Sequence, residues 1–224
     1  MEARRAGQNW APAILPCSAR AGYPFLLAGA GERSRRYEQE RTMRTIRIVA
    51  IVFALAAFVF AQQDKSKRPS PPGTAQVTLN GKNITIDYSR PHTHDPKTHE
   101  QRKMIGGTEP YGKPWRAGAN EATTLKTQAD LDIGGTSVPA GTYTLYALPE
   151  EGKMTLIISK KTGQWGIPYP GEQDDLARIP MQFNGNTGKD TEQFTISFAK
   201  KGNDSADMHF TWENWDASVN IKAK

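Results

Sequence analysis

The chain has 224 residues and a formal charge of +6, which leaves room for one or two domains. Nine arginines against four glutamates put +5 of that charge into residues 1–61, so the remainder is close to neutral and has no broad field with which to collect nucleic acid or other polyanions. The single cysteine, Cys17, also falls in that first segment; residues 62–224 therefore hold no disulfide framework, no cysteine zinc site and no thiol nucleophile.

Met43 opens a second, better start. Arg44 and Arg47 make a positive n-region, Ile48 to Phe60 is an apolar run, and Val59-Phe60-Ala61 offers a cleavage site before Gln62. This is the layout of a secretory signal peptide over 43–61, and it predicts an exported protein, periplasmic or extracellular in a bacterium. The run is short for a membrane span; an uncleaved transmembrane anchor is the competing expectation, and would be the only attachment to a membrane. No cysteine follows the run to carry a lipid. Residues 1–42, rich in Arg, Ala and Gly and without sustained periodicity, read as a disordered leader or as translation from a start placed too early, against a genuine targeting extension.

Residues 62–73 are polar and proline-rich, which predicts an extended linker with no core of its own. From Thr74 the pattern changes. Val77 and Leu79 alternate with polar neighbours, Asn80-Gly81 follows, and Ile84, Ile86 and Tyr88 alternate again, the strongest short-range signal of a β-hairpin. Arg90 to Arg116 lacks periodicity and is punctuated by Pro and Gly, which predicts a long loop of the kind that carries function. Strands are expected at 122–127 and 129–133, a turn at Gly134-Gly135, and strands at 142–148 and 154–159. A second long loop spans 160–173. Later strands are expected at 179–183, 193–198, 207–212 and 217–221. Strands at this spacing, with no run at helical period, predict a mainly β fold over 74–224: a single antiparallel sandwich (jelly-roll-like) or a barrel-like domain. A chain of this length can bury such a core without staples.

The stretches I-T-I-D-Y-S-R-P (84–91), P-Y-G-K-P-W-R-A-G-A-N-E-A-T-T (110–124), I-G-G-T-S-V-P-A-G-T-Y-T-L-Y (133–146) and K-K-T-G-Q-W-G (160–166) resemble an uncharacterised bacterial family known as domain of unknown function 2911. F-T-I-S-F (194–198) and W-E-N (212–214) are similar to it as well, so that the resemblance covers roughly residues 74–222. It implies an exported β domain of envelope-bearing bacteria and no agreed activity. After R-P this chain carries H-T-H-D-P-K-T-H-E-Q-R-K-M-I-G, where the family's loop is usually shorter and basic; the resemblance therefore assigns the histidines no role.

Three groups of residues are candidates for a site. His92, His94 and His99, with Asp95 and Glu100 beside them, have the chemistry to hold Zn²⁺ or another divalent transition metal, and His-x-His on an extended segment puts both rings on one side. Their spacing matches no metalloenzyme signature, and a solvated polar loop is the plain alternative. Trp115, Arg116, Asn120 and Glu121 form the second group: Arg116 and Glu121 suit a polar ligand, and Glu121 suits a general base if its pKa is raised. The alternative is an internal Arg116–Glu121 pair that fixes a loop to the sheet. The aromatic rings of Tyr111, Trp115, Trp165 and Tyr169 form the third, either stacking on a flat ligand such as a sugar or capping the open ends of the fold.

No P-loop, dinucleotide fingerprint, G-x-S-x-G or EF-hand loop is present. The main reading is an exported β module that binds a small polar ligand, glycan or envelope partner through loops 90–121 and 160–175. The enzyme alternative is a periplasmic hydrolase or metal-assisted enzyme using Glu121, Arg116 and a histidine in one pocket. In the third reading every motif serves a purely structural envelope protein.

Overall fold

The computed structural model describes residues 37, 38, 40–47 and 65–224. The chain divides into two units, Met1–Gln62 and Gln63–Lys224. In the first, residues 40–47 are helical and exposed; most of the 1–42 leader and of the 43–61 signal segment lies outside the described residues. No helix among the described residues is long and apolar enough to cross a membrane.

In the second unit Asn80 and Gly81 both take positive φ, 49° and 73°. They close a two-residue turn whose twist matches that of the flanking strands, β1 (Pro72–Leu79) and β2 (Lys82–Ser89). The remaining strands are β3 (Thr124–Thr127), β4 (Leu131–Ile133), β5 (Thr136–Val138), β6 (Gly141–Glu150), β7 (Lys153–Ser159), β8 (Asp175–Asn184), β9 (Thr191–Lys200), β10 (Ser205–Glu213) and β11 (Trp215–Ala223). The short β5 has no counterpart in the sequence reading, because three residues are too few to show alternation. Asp175 and Ala177, which precede the strand expected at 179–183, already pair with β7.

All pairings between strands are antiparallel, in the order β1-β2-β3-β6-β7-β8-β11-β10-β9, with β4 on β11 and β5 on β4. This is one sheet curled into a nearly closed barrel, so the two-sheet sandwich left open by the sequence is not formed. The last gap, between β1–β2 and β9, is closed by side chains. The Tyr88 hydroxyl accepts from the Ile196 backbone N–H at 3.0 Å and faces the Ile196 carbonyl at 3.4 Å. Arg90 reaches the Phe194 carbonyl and the Thr195 hydroxyl. Beyond β2 the chain at 91–93 hydrogen-bonds to 192–194, which continues the closure.

The barrel interior follows the period-2 pattern of the strands. Ile84 and Ile86, Leu145 and Ala147, Leu156 and Ile158, Met208, Phe210 and Trp212 all point inward and are buried. One region departs from simple inside-out alternation. Thr144, Tyr146, Ile157 and Ser159 are fully buried yet sit outside the core cluster. Register pairs Thr144 with Ser159 and Ser159 with Asp175, and in the next row pairs Tyr146 with Ile157 and Ile157 with Arg178. These residues lie on the outer face of β6–β7–β8, where loop 160–175 covers the sheet, whereas the first long loop sends Met104, Ile105, Trp115 and Ala117 into the core.

Candidate functional site

The turn 115–121 is held from several sides. Trp115 exchanges two backbone hydrogen bonds with Ala147 at 2.7 Å, prolonging the ladder along β6. Its indole N–H donates to the Gly118 carbonyl at 3.0 Å, and the Thr123 hydroxyl donates to the Ala117 carbonyl at 2.7 Å. A Cβ at position 118 would come within 3.0 Å of the Ser89 carbonyl, so only glycine lets the turn lie this close to β2. Ala117 and Asn120 hold positive φ, 48° and 56°, a conformation that costs a non-glycine residue about 1 kcal/mol and persists where neighbours over-determine it. The Asn120 amide supplies one such constraint, donating to the Ser70 carbonyl at 2.9 Å.

The sequence group in this turn separates into different roles. Trp115 is 4 % exposed, stacks on Trp212 at 5.3 Å and meets Phe194 edge-on; it is a core ring and cannot face a ligand. Arg116 and Glu121 do not pair with each other. Arg116 donates to the carbonyls of Asn120 at 2.5 Å and Trp165 at 3.1 Å, and so clamps the first long loop to the second. Glu121 instead receives Arg68 at 2.9 and 3.0 Å and Lys65 at 3.0 Å. The 65–73 segment, expected as a free tether, is therefore docked at this turn by its charges and joins β1 at Pro72.

These contacts shape a groove of about 370 Å³ on the outer face of β2–β3–β6. Lys65, Arg68, Glu121, Asp87 and Lys126 bring charge to it, with Thr124, Thr142 and Thr162 adding hydroxyls. Lys126 pairs with Asp87 at 2.9 Å. Both long loops contribute, through Glu121 and through Thr162 and Gly163. Desolvation raises the Glu121 carboxyl, but hydrogen bonds from Lys65 and Arg68 outweigh it and hold the group at about 2. A carboxylate fixed as an anion binds and orients but is a poor proton acceptor at neutral pH. No histidine lines this groove, so the pairing of Glu121 with a histidine that the hydrolase reading requires is not formed.

Beside the groove, under loop 160–175, lies a cluster that the sequence reading passed over apart from Tyr169. The Gln164 amide donates to the Thr144 and Tyr146 hydroxyls and to the Lys161 carbonyl. Tyr169 stands edge-on to Tyr146 at 5.1 Å and donates to Asp175 at 2.6 Å, where Arg178 also binds. Burial raises the Tyr146 hydroxyl and pushes Tyr169 up to about 12. Glu109, from the first loop, is raised to about 7 by burial, opposed by the charge of Arg116. The available signal was the pair of runs Leu145-Tyr146-Ala147 and Leu156-Ile157-Ile158, apolar on both faces of their strands and so covered on both. Trp165 itself is 51 % exposed and is placed by its carbonyl, not its ring.

The histidines divide. His94 contacts Glu192 through Nδ1 at 2.7 Å, and the Thr93 hydroxyl donates to the same carboxylate. His92 lies 3.5 Å from Glu192 and hydrogen-bonds to Gln193. His99 is exposed at a positive-φ position, its backbone N–H on the Asp95 carbonyl. Among the described residues no three His, Cys, Asp or Glu side chains are placed to hold a metal ion. Tyr111 lies elsewhere, lining a pocket of about 420 Å³ with Phe183 and Trp215.

A family model described as protein of unknown function (DUF2911) matches residues 70–221. No curated protein and no solved structure matches the chain.

Proposed function

The chain belongs to the DUF2911 family of proteins of unknown function, and we propose that its barrel is a binding module for a small polar ligand, seated in the groove between the 65–68 segment, the 115–121 turn and the start of loop 160–175. The observation that carries this reading is the groove itself: a concave site of ligand size to which both long loops contribute and in which fixed charges of both signs stand beside hydroxyls. The turn that carries Glu121 is held in a strained conformation by contacts to Thr123, β6 and the 65–70 segment, which favours a preorganised binding edge. Glu121, held as an anion, serves as an acceptor for ligand donors, while Lys65, Arg68 and Lys126 serve ligand acceptors. The reading assigns the protein to the periplasm or cell exterior on the layout of residues 43–61, and N-terminal sequencing of the exported protein tests that part.

The test of the site is a screen of small polar metabolites by thermal shift on the purified protein, followed by calorimetry of each hit. Hits are expected to weaken at least tenfold on Glu121→Gln and on Lys126→Ala. Hits indifferent to both substitutions would remove the ligand from this groove.

A further inference from the structure

We infer that the cavity at one end of the barrel, between Tyr111, Phe183 and the β10–β11 turn, is a second binding site, and that it takes the ring of a pyranose sugar. The site is independent of the groove. Thr142, at the start of β6, lines the groove, and Gly152, just past the end of β6, lines the cavity; at about 3.3 Å per residue the two stand roughly 30 Å apart.

The antiparallel order brings the β6–β7 turn, the end of β8 and the β10–β11 turn to the same end of the barrel. Residues of the first long loop join them there, and together they surround about 420 Å³, a volume in the range of small-ligand sites. Gly152 sends no side chain into that space, and a Cβ there would meet nothing within 4 Å.

Glu213 builds the floor. It holds φ 49°, and its carboxylate accepts the Met104 and Ile105 backbone N–H groups at 2.8 and 3.2 Å and the Trp215 indole N–H at 3.3 Å. One side chain thereby ties the first loop to the β10–β11 turn and fixes the Trp215 ring, beside which Phe183 stands at 6.0 Å. Walls that are already ordered lose little freedom when a ligand enters.

Tyr111 adds a ring that the fold holds in the open. The residue is 44 % exposed, yet its ring lies so close to Gly106 that a Cβ there would come within 2.6 Å of it. The Gly112 N–H donates to the Pro149 carbonyl at 2.9 Å and the Gly106 N–H to the Glu109 carbonyl at 2.8 Å, which pins the backbone on either side. A large ring ordered at the surface and lining a cavity is a stacking surface.

The ligand class follows from what stands beside the rings. Lys103 and Asn214 are exposed residues that line the same cavity; an ammonium donates, and an amide both donates and accepts. Rings with such groups next to them suit a ligand that has an apolar face and a hydroxylated edge. A pyranose with equatorial hydroxyls is built that way, with C–H groups over its faces and hydroxyls around its rim. A wholly apolar ring would take water from Lys103 and Asn214 and return no hydrogen bond, and an acyclic polyol has no flat face for Tyr111. The charges of Lys103 and Glu213 cancel in the lining, which favours a ligand without net charge.

The test titrates the purified protein with cellobiose, whose ring substituents are all equatorial, and separately with sorbitol and with benzyl alcohol, following the Trp215 indole N–H by NMR and affinity by calorimetry. Cellobiose is expected to shift that resonance and to bind, with Tyr111→Leu weakening it at least tenfold and Lys103→Ala at least threefold. Leucine keeps an apolar side chain on Gly106 and Lys103 is exposed, so both variants should melt as the parent does; a folding defect in one leaves the other decisive. Sorbitol binding as tightly as cellobiose, or benzyl alcohol binding in its place, would overturn the sugar assignment. Cellobiose binding that survives both substitutions but is lost in Lys126→Ala would put the sugar in the groove and overturn this site. No response of Trp215 to cellobiose would overturn the inference and leave the groove reading untouched.

Discussion

The Arg68 guanidinium faces both carboxylate oxygens of Glu121, at 2.9 and 3.0 Å, across 53 residues of chain. With Lys65 on the same carboxylate, a segment that lacks any core residue of its own becomes one wall of the candidate site. It also sets the chemistry of Glu121, which suited a general base only if its pKa were raised and whose partners instead hold it as a carboxylate below the usual range.

Replacing Arg68 by Ala is expected to move the Glu121 carboxyl from about 2 towards its ordinary 4.5, as read from a carboxyl-carbon NMR titration. Because the folded pKa lies below the unfolded one, the pair's stabilisation is complete above pH 4.5 and is lost as pH falls through about 2. The acid limb of the variant is therefore shallower. At pH 7 the stability change stays within about 1 kcal/mol, since the pair is solvent-screened. An unmoved Glu121 would show that Arg68 contributes nothing to its ionisation.

The two tryptophans grouped from sequence with Tyr111 and Tyr169 should respond differently. Trp115→Ala removes a buried ring stacked on Trp212 and is expected to cost about 3–5 kcal/mol in urea denaturation. Trp165→Ala removes a half-exposed ring and should stay within about 0.5 kcal/mol. Equal effects would contradict the burial that separates them.

Glu109 gives the protein a pH dependence of the opposite sign to Glu121. Its carboxyl, raised to about 7 by burial, keeps a proton that the unfolded chain has already released, so stability falls as pH rises from 4.5 through about 7. Glu109→Gln removes that slope. The variant should be the more stable above pH 7, by on the order of 1 kcal/mol once solvent screening of a half-buried group is allowed for. Denaturation midpoints at pH 5 and pH 8 check it; parallel shifts at both would refute the assignment.

Tyr88→Phe keeps the ring in the core and removes the hydroxyl that serves the Ile196 backbone. Leaving those groups unpaired is expected to cost about 2 kcal/mol and to raise amide exchange at Ile196 above that of its neighbours on β9. Unchanged protection there would mean that the barrel does not depend on this closure.

For the histidines the expected result is a melting temperature indifferent to chelator, with His99→Ala silent, because only His92 and His94 share a carboxylate. Stoichiometric metal in the purified protein, lost together with stability when His92, His94 and His99 are all replaced by Ala, would reinstate a metal site.

Most of the strand pattern was legible in the sequence because it is written locally. Alternation with period 2 marks a half-buried strand, and Asn80-Gly81 marks its turn, whatever lies elsewhere in the chain. Charge and cysteine content were equally local, and separated the arginine-rich first segment from a neutral, cysteine-free domain. Whether the strands close as a sandwich or a barrel was not local. It rests on Tyr88 and Arg90 reaching β9 more than a hundred residues away. The site was half legible: proline and glycine picked out the two loops, and Glu121 and Arg116 stood out as their charges. Which charge meets which was decided by packing, since the Trp115 ring turns into the core, Arg116 turns to two carbonyls, and Glu121 is left to Lys65 and Arg68. Tyr146, Gln164 and Asp175 come together only because loop 160–175 folds back over the outer face of the sheet, and a side chain's partners across such a layer depend on distance in space, which no spacing along the chain encodes.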